Sequence, residues 1–249
     1  MKDKGTLYGV RPALEALRAQ AKIERILLAR ASGGQTQRIR EQARQRGVKV
    51  VEVDREEIDR RLPGVRHQGV LMIMGRDEVE SVSLASVLQA AEKRGEAPLL
   101  LLLDGIQDPH NFGAIIRSAY ALGAHAVVVE RNRAAPVSGA AVRASAGAAL
   151  QMPIVRVTNL KHALEELEAN NIWTAAAVMD GSAASSARLD GPVALVIGGE
   201  AKGVRPTVAK RCDIRVSIPL THGFDSLNAS VAAGILLYEI GRQRADALR

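Results

Sequence analysis

Cysteine is nearly absent from this chain. The single residue, Cys212, cannot close an internal disulfide, which fits a reducing compartment and makes the cytoplasm the expected location. Cys212 borders an apolar strand pattern and is expected to be buried rather than reactive. Aromatic residues are scarce as well, at 2% of the chain, so a stacking platform for single-stranded bases is not expected. No apolar run approaches the ~18 residues of a membrane span. The first residues, MKDKGTLYGVRPALEAL, lack the apolar centre of a secretory signal. The histidines at 67, 110, 125, 162 and 222 show neither HExxH spacing nor cysteine partners, so no metal site is expected. A dinucleotide fingerprint GxGxxG, a Walker loop and a GxSxG elbow are all missing, which removes three common enzyme classes.

Positive charge, by contrast, is in excess. The 249 residues carry a net charge of +7, which points to an anionic partner. Residues 1–75 hold 16 of the 34 basic and 9 of the 27 acidic side chains, and the remainder is balanced. The whole excess therefore sits in the first third. Solvated surface cations are the plain alternative. If nucleic acid binds, the contacts should be mainly arginine and lysine to phosphate.

Hydrophobic periodicity divides the chain. Residues 1–75 read as a small α/β unit: helix 10–19, strand 26–29, a basic helix 35–46 stopped by Gly47, strand 48–53, helix 54–62 opened by a capping-box-like Asp54/Glu57 pair, and strand 70–74. The charged RDEVE, 76–80, reads as a linker, and Ser83 as the cap of a connecting helix that ends at Gly95. From residue 99 strands and helices alternate. Strands are expected at 99–103, 125–130, 153–157, 172–178, 193–198 and 214–218. Helices are expected near 112–122, 137–149, 160–170, 205–211 and 227–245. Continuous apolar strands such as VALVI predict a mostly parallel sheet covered on both faces, with ligands at the carboxyl ends of its strands. The domains are thus 1–75, a linker and connecting helix at 76–98, and 99–249.

Three loops at such strand ends carry the functional signal. The first, DGIQDPHNFGAIIRSA (104–119), has a turn at Asp108–Pro109, Asn111 as a natural N-cap, and Arg117 on a helix of small residues. An arginine there needs a carboxylate or phosphate partner, and a salt bridge to a neighbouring acid is the plain alternative. The second, IGGEAKGV (197–204), has Gly198, Gly199 and Gly203 for tight turns, with Glu200 in the middle. A hairpin-like turn would account for the glycines but not for Glu200. The third joins a strand to a long apolar helix through THGFDSLN (221–228). It holds Thr221, His222, Asp225, Ser226 and Asn228, of which Ser226 or Asn228 would serve as N-cap. In a parallel sheet the three loops gather at one end and form a small-molecule site beside an anion site.

NFGAIIRSA, LVIGGEAKGV and IPLTHGFDSLNASVA together resemble the three motifs of the SpoU (TrmH) family, in order and spacing, over roughly residues 99–245. The opening LYGVRPALEAL resembles the ribosomal-protein-like RNA-binding domain fused to many members. The resemblance implies RNA ribose 2′-O-methylation from S-adenosylmethionine (SAM), a SPOUT-type α/β domain with a deep trefoil knot, and a homodimer. VRVTNL (155–160) and NNIW (170–173) are most similar to members acting on a guanosine of 23S rRNA. Action on tRNA or another rRNA site is the alternative, as is a non-enzymatic RNA-binding factor that keeps the fold.

Matched by position, the resemblance implies cofactor contacts at Gly198, Ile218 and Leu227, with Gly199 leaving room. Asn111, Arg117, Glu200, Ser226 and Asn228 match the family's remaining motif residues. It also implies that Arg117 acts across the dimer. His110, Phe112 and Ala201 depart from the commoner pattern, and local packing is where their effect is expected. Arginine stays protonated in proteins, so Arg117 is expected to clamp a phosphate and an oxyanion rather than to act as a base.

Overall fold

The computed structural model describes residues 6–30, 34–75, 82–221 and 226–247. The expected linker 76–80, His222 and Asp225 lie outside the described residues. Two compact units are present: Met1–Glu80 with Pro136–Gln151, and Ser81–Ala135 with Met152–Arg249.

The first unit runs β1 (Thr6–Tyr8), α1 (Val10–Arg18), β2 (Ile23–Ala29), α2 (Gly34–Gln45), β3 (Lys49–Val53), α3 (Arg55–Arg61) and β4 (Val70–Met74). Its sheet has the order β1-β4-β2-β3, with only β2 and β3 parallel. Helix α2 closes at Gly47, whose φ of 65° is the left-handed conformation expected after a helix end. Arg46 beside it is structural: its guanidinium donates to the carbonyls of Ala16, Leu17 and Ala21 at 3.0–3.2 Å, capping the end of α1. Asp54 stands at the N-cap of α3 without a side-chain cap bond. The capping box is not formed, because the Asp54 carboxylate turns to Arg30 at 3.5 Å.

The helix expected over 137–149 is a broken one. It is α6 (Gly139–Ala144) followed by a 3-10 turn at Ala148–Leu150. The break falls where Ala146 and Gly147 both take positive φ, 50° and 88°. This segment groups with the first unit.

The second unit comprises α4 (Leu84–Lys93), β5 (Leu99–Asp104), α5 (Pro109–Ala121), β6 (Ala126–Glu130), β7 (Ile154–Val157), α7 (Leu160–Ala169), β8 (Trp173–Ala183), β9 (Val193–Gly198), α8 (Pro206–Ala209), β10 (Ile214–Ser217) and α9 (Ala229–Ala247). Ser83 caps α4 as expected, accepting from the Ser86 amide at 3.1 Å. All six strands are parallel, in the order β10-β8-β9-β5-β6-β7. Every residue of β5 and β6 is buried. Alternate side chains enter opposite layers. Leu100, Leu102, Ala126, Val128, Ala194 and Val196 pack with α4 and α7. On the other face α9 covers β9 and packs along α5. Each fully buried leucine contributes roughly 1.5–3 kcal/mol, so the sheet is a rigid platform for loops at its ends.

Strand β8 runs five residues beyond the expected end. Its partner β10 changes register sharply: Arg215 faces Ala176, whereas the next residue, Val216, faces Ser182. Gly181 sits against that step, and a Cβ there would lie 2.6 Å from the carbonyl carbon of Val216. The end of α9 is fastened by Arg244, which donates to the carbonyls of Ala97, Pro98 and Gly191 at 2.9, 2.9 and 2.7 Å.

Candidate functional site

The three loops meet where β5 and β9 end side by side, with Asp104 opposite Gly198. Gly198 admits no side chain: a Cβ would lie 1.9 Å from the carbonyl carbon of Gly203 and 2.0 Å from the Val204 nitrogen. This backbone contact folds the glycine loop back on itself, with the Gly203 amide donating to the Gly199 carbonyl at 2.8 Å. The Gly199 amide donates to the Asp104 carbonyl at 3.0 Å, and a Cβ on Gly199 would meet the Gly105 carbonyl oxygen at 2.8 Å. Both glycines are therefore required by backbone packing. The space beside Gly199 is taken by Gly105.

Glu200 is held out from this loop by two amides. Asn111 Nδ2 and Asn228 Nδ2 each donate to Glu200 Oε1 at 2.6 Å, and Asn228 Nδ2 also lies 3.1 Å from Asn111 Oδ1. One residue from each loop, 28 to 117 positions apart, thus forms a single cluster. Both asparagines sit on helix starts. Asn228 caps α9, its Oδ1 accepting from the Ser230 amide at 2.9 Å. Asn111 is not the cap of α5. That helix begins earlier, at Pro109, and Asp108 takes the cap by accepting from the Asn111 amide at 2.9 Å. A proline at the first helical position fixes the entry there, and the change frees the Asn111 side chain for Glu200.

Beside the cluster lies a cavity of ≈340 Å³ lined by Gly198, Gly199, Glu200, Ile218, Ser226 and Leu227, together with Ala177–Met179 of β8 and Leu236 of α9. Its volume is within the ~300–1,000 Å³ of small-molecule sites. Its walls are largely aliphatic and its rim is backbone. Such a cradle fits a nucleoside-sized ligand whose polar edge is read by main-chain groups. The wall from β8 and α9 carried no sequence signal, because small and aliphatic residues there look like ordinary core.

Arg117 stands apart from this cavity. It is exposed on α5, and among the described residues no carboxylate pairs with it. The salt-bridge alternative is therefore not realised within those residues.

Behind the loops lies a buried ionic network without an obvious pattern in the chain. Arg205 pairs through Nε with Asp104 Oδ1 at 2.6 Å and donates from Nη2 to Glu130 Oε1 at 2.8 Å. Asp104 Oδ2 accepts from the Arg205 amide at 2.8 Å, and Glu130 Oε1 also accepts from the Leu160 amide at 3.1 Å. Burial alone would raise the Glu130 carboxyl, but the Arg205 guanidinium and the Leu160 amide outweigh it and hold it below its ordinary value. Burial would likewise lower Arg205, and the two carboxylates hold it above. The network ties the end of β5 to the end of β6 and to the segment that follows the glycine loop. Cys212 is half-buried rather than fully buried, and it is not activated: desolvation pushes its thiol up to about 11.

An open cavity at the carboxyl edge of an all-parallel sheet, bordered by backbone glycines and an amide-held glutamate, defines a ligand-binding α/β domain of the doubly covered class. Residues 98–238 match the SpoU rRNA Methylase family, and residues 6–79 match the RNA 2′-O ribose methyltransferase substrate binding domain. The chain belongs to the SpoU family. It is 38% identical over 242 residues to YacO of Bacillus subtilis, named for the TrmH family of tRNA/rRNA methyltransferases, covering 96% of this chain and 95% of that one. It is 40% identical over 201 residues to the 23S rRNA (guanosine-2′-O-)-methyltransferase RlmB of Haemophilus influenzae, covering 80% of each. Among solved structures, the SpoU methyltransferase AviRb of Streptomyces viridochromogenes in complex with AdoMet superposes with a TM-score of 0.76 at 28% identity, covering 97% of this chain and 90% of that one.

Proposed function

We propose that the protein transfers a methyl group from SAM to the ribose 2′-hydroxyl of a guanosine in 23S rRNA. The observation that carries this reading is the convergence of Asn111, Glu200 and Asn228 on the rim of a glycine-lined cavity. The cofactor would be held at the backbone of Gly198, Ile218 and Leu227, and when bound it supplies an electrophilic methyl on a positively charged sulfur. The chain's own part is alignment, which can remove ~7–11 kcal/mol of barrier. Glu200, fixed by two amides at one oxygen, keeps Oε2 for a substrate hydroxyl or amine. Ser226 lies at the cavity mouth. Arg117 clamps the phosphate and the developing oxyanion, while the hydroxyl proton leaves to a phosphate oxygen or water. The RNA is gripped by residues 1–75, where Arg38 and Arg44 on α2 are exposed and have no ion pair among the described residues.

The working form in this reading is a homodimer in the cytoplasm. Val231, Ile235 and Tyr238 expose one stripe of α9 at helical spacing, with Tyr238 63% exposed, and Tyr120 is exposed on the adjoining α5. An apolar stripe of that kind suits a two-fold partner. It lies on the same helix pair as Arg117, which supports Arg117 serving the partner's cavity. The family's trefoil knot is part of the proposal too. It is supported by the path of the chain, which goes out to the edge strand β10 beyond β8 and then returns to pack α9 on β9 and α5.

Methyl-labelled SAM, incubated with 23S rRNA from an unmodified strain, tests the reading. Label mapped to one guanosine ribose is the expected result, and label on a base or on no RNA overturns it.

A further inference from the structure

The ends of β6 and β7 carry a second, chemically different cavity of ≈310 Å³. It is lined by Asn132, Arg133, Thr158, Asn159, Lys161 and Arg205, with Glu130 and Thr207 completing the wall. We propose that this cavity is a subsite for a backbone phosphate of the RNA substrate, so that the catalytic unit itself grips the nucleic acid beside the reacting nucleotide. The inference rests on RNA being the substrate.

The electrostatics favour an anion. Glu130 and Asp104 are buried and committed to Arg205, while Glu130 Oε1 is further engaged by the Leu160 amide. Two carboxylates against one guanidinium leave this floor one charge negative, which the cations on the walls outnumber. On its walls stand Arg133 and Lys161. Arg133 reaches Glu130 only at 3.9 Å, and among the described residues Lys161 has no ion pair. These two wall cations leave the cavity with a positive balance that an anion can answer.

Position makes the site a continuation of the substrate track. Arg205 follows directly on the loop that lines the cofactor cavity, and its own amide is bonded to Asp104 at the end of β5. Asn132, Thr158, Asn159 and Thr207 supply neutral donors beside the cations, the mixture that phosphate oxygens accept from. A backbone phosphate leaving the reaction site toward β7 meets Arg133 and Lys161 at the walls. The contact carries no sequence information and fixes register.

The experiment compares the full-length protein with the double variant Arg133→Gln/Lys161→Gln and with Arg188→Gln, an exposed cation elsewhere on the same unit. Neutral glutamine avoids setting a new carboxylate against Glu130. Binding of transcribed 23S rRNA is measured across a salt series, together with KM for RNA, kcat and SAM affinity. The expected result for the double variant is an RNA Kd and KM raised roughly tenfold, with a log–log salt slope shallower by about 0.7–0.9, the loss of one phosphate contact. Its kcat at saturating RNA and its SAM affinity should stay within twofold of the parent, and Arg188→Gln should match the parent throughout. An unchanged slope and KM in a double variant that still methylates RNA overturns the subsite and leaves the proposed function standing. If the parent protein methylates no RNA, the functional reading falls and the subsite falls with it.

Discussion

Asn228 grips Glu200 with one end of its carboxamide and α9 with the other. Nδ2 lies 2.6 Å from Glu200 Oε1, while Oδ1 accepts from the Ser230 amide at 2.9 Å. A helix start is thereby coupled to the position of a site carboxylate, and the two roles can be separated. Asn228→Ser keeps a capping oxygen and loses the amide donor, so the thermal midpoint should hold while single-turnover methyl transfer falls about a hundredfold. Asn228→Ala should lose both, with a stability cost near 1 kcal/mol. Equal activity in Asn228→Ser and the parent would remove Asn228 from the site.

Gly198→Ala forces a methyl group into backbone 1.9 Å away. The expected outcome is a glycine loop pushed open, with SAM affinity lowered by at least ~10-fold and stability by about 1–3 kcal/mol. Gly191→Ala, where nothing lies within 4 Å, is the matched control and should be silent. Calorimetric titration with SAM and thermal melts read both quantities.

A site completed by its neighbour's Arg117 predicts complementation. Arg117→Ala and Glu200→Ala homodimers should each be inactive. After mixing and refolding together, half of the dimers are mixed and each has one intact site, so activity should recover to about a quarter of the parent. No recovery, in a sample shown to contain mixed dimers, would place Arg117 and the cavity of its own chain in one site.

Acid sensitivity follows from Glu130. Its carboxyl titrates below the ordinary 4.5 in the folded chain. Its contribution is therefore complete above the unfolded value and is lost as pH falls through the lowered folded one. Glu130→Gln should melt earlier at neutral pH, by about 2 kcal/mol for a broken buried ion pair, yet show a flatter loss of stability below pH ~4. Thermal melts from neutral pH down to pH ~3 decide it.

Much of the second unit was legible because its signals are local. Strands such as LLLLLD and VALVI announce a covered parallel sheet, and the residues expected at the cavity, Gly198, Gly199, Glu200, Ile218, Ser226 and Leu227, do line it. What escaped was long-range or ambiguous. Asp104, Glu130 and Arg205 lie up to 101 positions apart, and no spacing rule joins them. Asn111 and Asp108 both suit an N-cap, and only the proline between them settles which one is used. Strand β8 looks finished at Val178, because Asp180 and Gly181 weaken the pattern, although the chain stays extended to Ala183.

Arg244 gives α9 a consequence beyond its packing. The helix starts at the amide of Asn228 and ends clasped to the carbonyls that precede β5, so it spans the sheet like a strut of set length. Inserting one residue would turn its start by about 100° and shift it about 1.5 Å, throwing Asn228 out of reach of Glu200. Point changes on its outer face should be absorbed, whereas any change in residue count between 229 and 244 should be felt at the opposite edge of the domain.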